Sequence, residues 1–344
     1  MKIQFEKVNC DFCGSKKYTF FAKQKDKFQE VNNTYFEVVK CTNCGLIFTN
    51  PRPTKDTISL FYTKKYSFHS NKLFYKLFIR KVLERLARSF YVRIISKFLP
   101  ISINRLLLNF LKPQINDPVL SFIKKNRKIL KRLKFLDIGC GSGLSTNFWG
   151  TKSSIIKLSK IINVFGIEPS SDAIKILSDH KIKVFENIDD LENDIKFDII
   201  RLNWSLEHVH SPKKYFKFIE KHLSAIGIAV ICVPNINGLL YKINPNALEL
   251  PIHLFHFDFN SLTNYSRKFN LNTEKLITFS YPGMYLFAEK IGLINRKYNF
   301  NKFNLSKGYK FLEFHNILDD IGLGNDILMI LKLDNTTKTE QEIG

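Results

Sequence analysis

The stretch Lys134-Phe135-Leu136-Asp137-Ile138-Gly139-Cys140-Gly141-Ser142-Gly143 constrains this chain more than any other. An apolar run, Leu133 to Ile138, ends at three glycines on alternate positions, and helix-like sequence follows. The pattern reads as a buried strand, a tight turn and a helix start. Glycine there permits backbone angles that other residues cannot hold and lets a ligand approach the main chain. The dinucleotide fingerprint G-x-G-x-x-G is not satisfied, because its third glycine would fall at Leu144 or Thr146. A tight turn with no ligand is the plain alternative.

Downstream, strands and helices alternate. Val164 to Ile167 is a second buried strand ending at Glu168, with a helix start at Pro169-Ser170-Ser171-Asp172. Lys183 to Phe185, Phe197 to Asn203 and Ile228 to Asn235 read as three more strands. Leu144 to Leu158 and Tyr215 to Leu223 read as helices. Lys275 to Tyr281 and Asp326 to Leu333 supply two further strands, with an aromatic-rich insertion at 283–323 between them. The expected fold class is α/β, a doubly wound, Rossmann-like, seven-stranded sheet. Its ligand should sit at the carboxyl ends of the strands, near the first one.

The actual spacing, D-x-G-x-G-x-G over 137–143, resembles motif I of the class I S-adenosylmethionine (SAM) methyltransferases. "FDII…SLEHVHSP" at 197–212 and "P-x-H-L-x-H-F" at 251–257 are similar to later motifs of that family. The resemblance implies that Asp137, Gly139, Gly141 and Gly143 surround the amino-acid end of SAM, and that Glu168 accepts hydrogen bonds from its ribose. It implies an adenine-contacting acid near 186–190, assigned here to Asp189 with helix capping as the alternative, and places Asn203 and Trp204 beside SAM and acceptor. It also implies that the last strand pairs antiparallel with the sixth. Glu207 and His208 form a candidate acid/base unit, since a carboxylate can orient an imidazole and raise its basicity. A structural role for the pair is the competing reading. His253 and His256, beside a Phe-rich wall, are candidates to face the acceptor, with a packing role as the competing reading. Quinone-pathway O-methyltransferases carry an additional acid three residues before the Glu, completing a divalent metal site; here that position is Trp204, so neither a catalytic metal nor a quinone substrate is expected.

Cys10-x-x-Cys13-Gly14 and Cys41-x-x-Cys44-Gly45 form a matched pair of knuckles. Four thiolates suit a tetrahedral, structural Zn²⁺ with no open coordination position. Tyr18 to Ala22 and Thr34 to Lys40 read as strands of a ribbon too small to fold without the metal. The ribbon, its tail "CGLIFTNPRP", and then Leu60-Phe61-Tyr62 and Tyr66, placed ahead of such a catalytic domain, resemble bacterial methyltransferases of surface-polysaccharide and sugar biosynthesis. The expected organisation is a zinc ribbon at 1–53, a basic helical region at 54–130, the catalytic domain at 131–335 and a frayed tail at 336–344.

Charge enters through the second of these segments. The chain carries 53 Lys+Arg against 31 Asp+Glu, a net +22, and +15 of it lies in residues 72–134. Phe74, Leu77, Phe78, Val82, Leu86, Phe90 and Ile94 recur there at helical spacing between basic residues. Such a face suits an anionic membrane surface or a polyanion, or packs on the catalytic domain with its charges in water. Met1 to Asn9 has charges and no apolar signal core, and no apolar run reaches a membrane span, so a cytoplasmic protein is expected, with peripheral attachment at the inner membrane face an option.

The function expected from these features is O-methylation of a nucleotide- or lipid-linked sugar in surface glycan assembly, with SAM and Zn²⁺ as cofactors. Three other readings compete. A sugar C-methyltransferase of this type would carry a further C-terminal domain. An RNA methyltransferase would use the basic region on phosphates, although no recognisable RNA-binding module is present. A non-enzymatic SAM-fold protein would use the ribbon to bind a partner.

Overall fold

The computed structural model describes residues 3–26, 31, 34–62, 115–143, 153–243, 248–280 and 317–334. The basic helices expected at 72–114, the first part of the 144–158 helix, most of the 283–323 insertion and the tail lie outside these residues.

The amino-terminal strands are β1 (Phe5–Glu6), β2 (Tyr18–Lys25), β3 (Tyr35–Cys41), β4 (Ile47–Thr49) and β5 (Arg52–Pro53). The catalytic part contributes β6 (Lys134–Ile138), β7 (Asn163–Ile167), β8 (Lys183–Phe185), β9 (Phe197–Asn203), β10 (Leu223–Pro234), β11 (Phe255–His256), β12 (Leu271–Phe279) and β13 (Asp326–Leu333). Its helices are α1 (Pro118–Lys125), α2 (Ile155–Leu158), α3 (Ser171–Asp179), α4 (Pro212–His222), α5 (Leu239–Ile243) and α6 (Phe259–Lys268).

Seven strands form one sheet in the order β12-β13-β10-β9-β6-β7-β8. The five strands from β10 to β8 run parallel, and β13 is antiparallel to both β10 and β12. This is the doubly wound fold expected from the sequence. Alternation of side chains divides the core. Leu136, Ile200, Leu202, Ala229 and Ile231 pack on one face with Phe216 and Ile219 of α4 and Leu262 and Tyr265 of α6. Phe135, Ile199, Ile228 and Val230 pack on the other with Val119 and Ile123 of α1, α2 and Leu177 of α3. A strand buried on both faces must be apolar at successive positions, which is why these segments read as continuous runs.

Helix starts follow local chemistry. Asp117 caps α1 ahead of Pro118, Ser211 caps α4 ahead of Pro212, and Asp258 with Ser261 forms a capping box on α6. The Ser211-Pro212 signal places the start of α4 three residues before the Tyr215 expected from apolar periodicity. The fifth strand begins at Leu223 rather than Ile228, with irregular pairing between the two. The sixth begins at Leu271 rather than Lys275.

The ribbon is not self-contained. Its four-stranded sheet has the order β11-β4-β3-β2, and β11 comes from the catalytic part, with Phe255 opposite Phe48 and His256 opposite Ile47. Cys10, Val39, Cys41, Leu46 and Phe48 share one buried cluster with Leu136 and Leu202.

Candidate functional site

The strand order reverses between β6 and β9, so their carboxyl ends border the crevice where ligands of open parallel sheets bind. All three glycines of the β6 loop are left-handed, with φ of 73°, 52° and 67° at Gly139, Gly141 and Gly143. A Cβ on Gly139 would lie 2.5 Å from Ser205 Cβ, and one on Gly143 would meet Leu177 and Ile155. The loop is tied to β7, since Gly139 N donates to Ile167 O at 2.8 Å. Ser205 Oγ donates to Ile138 O at 2.8 Å and holds the β9 loop against it.

Glu168 ends β7 and is buried. One carboxylate oxygen accepts from Gly141 N at 2.8 Å and the other from Ser170 N at 2.9 Å. The two bonds fix the carboxylate at the end of β7, beside the glycine loop. Asn203 ends β9, and its buried Oδ1 has no hydrogen-bond partner. A glycine cradle, an acid at the next strand end and an orphaned amide oxygen fit a nucleoside-containing ligand such as SAM.

Asp137 is a correction. Both its oxygens are taken by Arg201, from Nε at 2.7 Å and Nη2 at 2.6 Å, and the pair is buried. The two residues are register partners on β6 and β9. Alternation puts their side chains on the α1–α2 face of the sheet, where Arg201 also donates to Ser153 O and lies over the Phe135 ring. Asp137 thus stabilises the loop from beneath. Arg201 was missed; its signal was a lone cation inside "FDIIRLN" beside a strand holding a lone acid.

Asp189 follows β8. It is exposed and paired with Lys214. The cap at that turn is made by Asn187 and Asp190 instead. Trp204 has φ +51° and donates from Nε1 to Asp326 Oδ1 at 2.9 Å.

The loop after β9 forms a short 3-10 turn, Leu206–His208. His208 Nδ1 lies 3.0 Å from Ile252 O and 3.0 Å from the Tyr62 hydroxyl. A carbonyl only accepts, so Nδ1 carries the proton and Nε2 the lone pair. Nε2 is 4.0 Å from Glu207 Oε1, too far for a hydrogen bond. Burial lowers the His208 pKa to about 4 rather than raising its basicity, and it pushes Glu207 well above the carboxylate range. Both Glu207 oxygens are buried without a hydrogen-bond partner. His253 stands edge-on to His208, centroids 4.7 Å apart, with Nε2 3.5 Å from Glu249. Glu207, His208 and His253 each offer one atom within 4.8 Å of the others, a spacing that a cation or a shared proton can occupy.

His256 is separated from this group. Its Nε2 lies 3.4 Å from Thr49 Oγ1, within the ribbon sheet. His253 precedes β11 and closes a turn through its N–H on Glu249 O at 2.9 Å, whereas His256 lies in β11 opposite Ile47. Tyr62, which follows the ribbon tail in the sequence, is brought by the fold with its hydroxyl 3.0 Å from His208 Nδ1.

The four ribbon cysteines cluster, with Cys10 and Cys44 sulfurs 3.4 Å apart, Cys13 and Cys41 sulfurs 3.6 Å apart, and all four within 4.8 Å of one another. Tetrahedral Zn–S bonds of about 2.3 Å place sulfurs about 3.8 Å apart, so the donor set fits. Gly14 and Gly45 take φ of 76° and 80° to close the knuckles.

The chain is 26% identical over 148 residues to the ubiquinone biosynthesis O-methyltransferase of two Rickettsia bellii strains, covering 42% of this chain and 59% of theirs. It therefore spans about six-tenths of the length of these relatives. A SAM-dependent methyltransferase from Archaeoglobus fulgidus is 18% identical, with a TM-score of 0.40, over 71% of this chain and 100% of its own. One from Clostridium acetobutylicum is 13% identical, with a TM-score of 0.37, over 62% and 89%. The family described as "Methyltransferase domain" matches residues 93–276, more than half of the chain. With its strand order and its glycine loop, the chain belongs to the methyltransferase domain family.

Proposed function

We propose that the protein transfers a methyl group from SAM to a hydroxyl of a nucleotide- or lipid-linked sugar in surface glycan assembly, and that Zn²⁺ fills the Cys10, Cys13, Cys41 and Cys44 site. The observation that carries the methyl-transfer reading is the pairing of two half-sites: the Gly139–Gly143 cradle with Glu168, and an uncharged His208 whose Nε2 holds a lone pair one loop away. SAM supplies an already activated methyl group. The chain has to align an acceptor oxygen with it, exclude water and take up the acceptor proton. A neutral imidazole can accept that proton and a protonated one cannot. The sugar assignment is supported by the resemblance of the ribbon and its tail to sugar-modifying methyltransferases.

The bound partner on this reading is the sugar or glycolipid. An anionic membrane surface is a second partner, held by the basic segment ahead of the catalytic part. Among the described residues no helix is long and apolar enough to cross a membrane. The test is a mass-spectrometric search for a CH₂ gain on nucleotide sugars, glycolipids, quinone precursors and RNA incubated with SAM and the protein. A gain on RNA or on a quinone precursor alone would overturn the sugar reading, and no gain on any acceptor would support the non-enzymatic one.

A further inference from the structure

We infer that Asp11, carried on the first cysteine knuckle, is a positioning residue for the Glu207–His208 loop, so that the ribbon orders the acceptor side of the site separately from the cofactor side. Only the words acceptor and cofactor depend on the methyl-transfer reading.

Asp11 lies between Cys10 and Cys13, yet all its named bonds run to the catalytic part. Oδ1 accepts from Ser211 Oγ at 2.6 Å. Oδ2 accepts from Lys213 N at 2.9 Å and from the Tyr265 hydroxyl at 2.7 Å. Ser211 caps α4, and Lys213 N is one of the amides a helix start leaves without an internal partner. The carboxylate thus holds the first turn of α4, three residues after His208, at the positive end of its dipole. Through Tyr265, which stacks on Phe216 at 5.0 Å, it also holds α6 against α4. Phe12 reinforces the contact: its ring meets Tyr265 edge-on at 5.1 Å and its carbonyl accepts from Lys268 Nζ at 3.0 Å.

The ribbon grips the same loop again from its far end. Arg52 Nη1 donates to His210 O at 2.9 Å, and His210 Nε2 lies 3.1 Å from Pro53 O. Residues 208–213 are therefore fixed at Tyr62, Pro53, Arg52 and Asp11, all outside the catalytic sheet. The glycine loop is fixed differently, by Ile167 O, Glu168 and Ser205. Loosening the knuckle should release the first set and leave the second.

The experiment compares full-length Asp11→Ala and Asp11→Asn with the parent chain after elemental analysis has shown that ribbon metal is retained. Hydrogen exchange is followed by mass spectrometry over 206–214 and over 139–143 with 163–168. Diethyl pyrocarbonate labelling is read at His208 and His210, with His222 as internal control because it is anchored on Ile195 O, away from the ribbon. Losing a charge-assisted bond at a helix start should raise exchange over 208–214 about tenfold or more in Asp11→Ala and less in Asp11→Asn, which keeps one acceptor oxygen. Labelling of His208 and His210 should rise with it, while His222 labelling and SAM affinity stay at parent values. Parent-level exchange and labelling in Asp11→Ala overturn the inference, as does an equal rise over 139–143. If Asp11→Ala does not fold, Tyr265→Phe removes the 2.7 Å bond to Asp11 without touching the cap of α4, and unchanged exchange over 208–214 there overturns it equally. Absence of SAM binding by the parent chain would defeat the methyl-transfer reading and leave the exchange result standing.

Discussion

Arg201 and Asp137 show how one residue changes the meaning of another. A buried ion pair contributes little net stability, but removing one partner strands the other charge. Arg201→Met should therefore cost about 3–5 kcal/mol, read as a lower urea midpoint, and adding Asp137→Leu should recover much of that loss. Glu168→Ala should instead abolish SAM binding in calorimetry while leaving the fold, since Glu168 is bound to the glycine loop at Gly141 N whereas both Asp137 oxygens are taken by Arg201. Asp326 gives a pH signature. Burial raises its pKa from 3.8 to about 7, so the folded chain keeps a proton that the unfolded chain releases. That contribution is full below about pH 4 and is lost as pH rises through 7. Asp326→Asn should gain up to about 4 kcal/mol over the parent at pH 8 and nothing near pH 4, checked by denaturant melts at both. His208 acts in the opposite sense: its folded pKa of about 4 lies below the usual 6.5, so its contribution is present above 6.5 and lost as pH falls towards 4. For the same reason the acidic limb of activity assigned to His208 should fall near 4, and a limb near 6.5 would remove it as the proton acceptor.

At the scale of elements, the β6 loop and the two ribbon knuckles use glycine alike but carry different loads. Gly139 has φ 73° and faces Ser205, whereas Gly45 has φ 80° with nothing nearer than 3.9 Å. Gly45→Ala should cost only the left-handed strain, about 1–2 kcal/mol. Gly139→Ala adds a clash with the β9 loop and should cost about 1–3 kcal/mol more, with a marked loss of SAM affinity. Thermal melts and calorimetry on the two variants separate strain from packing. The helix and strand starts that periodicity misplaced, at Pro212, Leu223 and Leu271, lie where a cap, an irregular pairing or a sheet edge decides the boundary rather than the hydrophobic pattern.

At the scale of the molecule, the ribbon and the catalytic sheet share a core. β11 completes the ribbon sheet, and Phe48 and Cys41 pack in the cluster that holds Leu136 and Phe216. Metal removal should not melt the ribbon alone. Chelation, or Cys41→Ser, should lower the midpoint of one transition seen both by far-ultraviolet dichroism and by SAM-dependent stabilisation. Two separated transitions would show that the ribbon folds independently.

The sequence by itself determined the α/β class, the strand ends that carry Gly139 to Gly143, Glu168 and Asn203, and the four-cysteine site. These are local: an apolar run stopped by glycines, or paired C-x-x-C-G knuckles, dictates its structure over a few residues. Its adjacency also marked Glu207 and His208. What those side chains do was decided only by long-range packing. Arg201 claims Asp137 across two strands, burial removes the charge from His208, and Tyr62 and His253 reach that imidazole from opposite directions along the chain. Pairing of β11 with β4 sets His256 beside Thr49 of the ribbon instead. No short window holds these facts, because each depends on residues between 44 and 207 positions apart, brought together when the chain closes into one core.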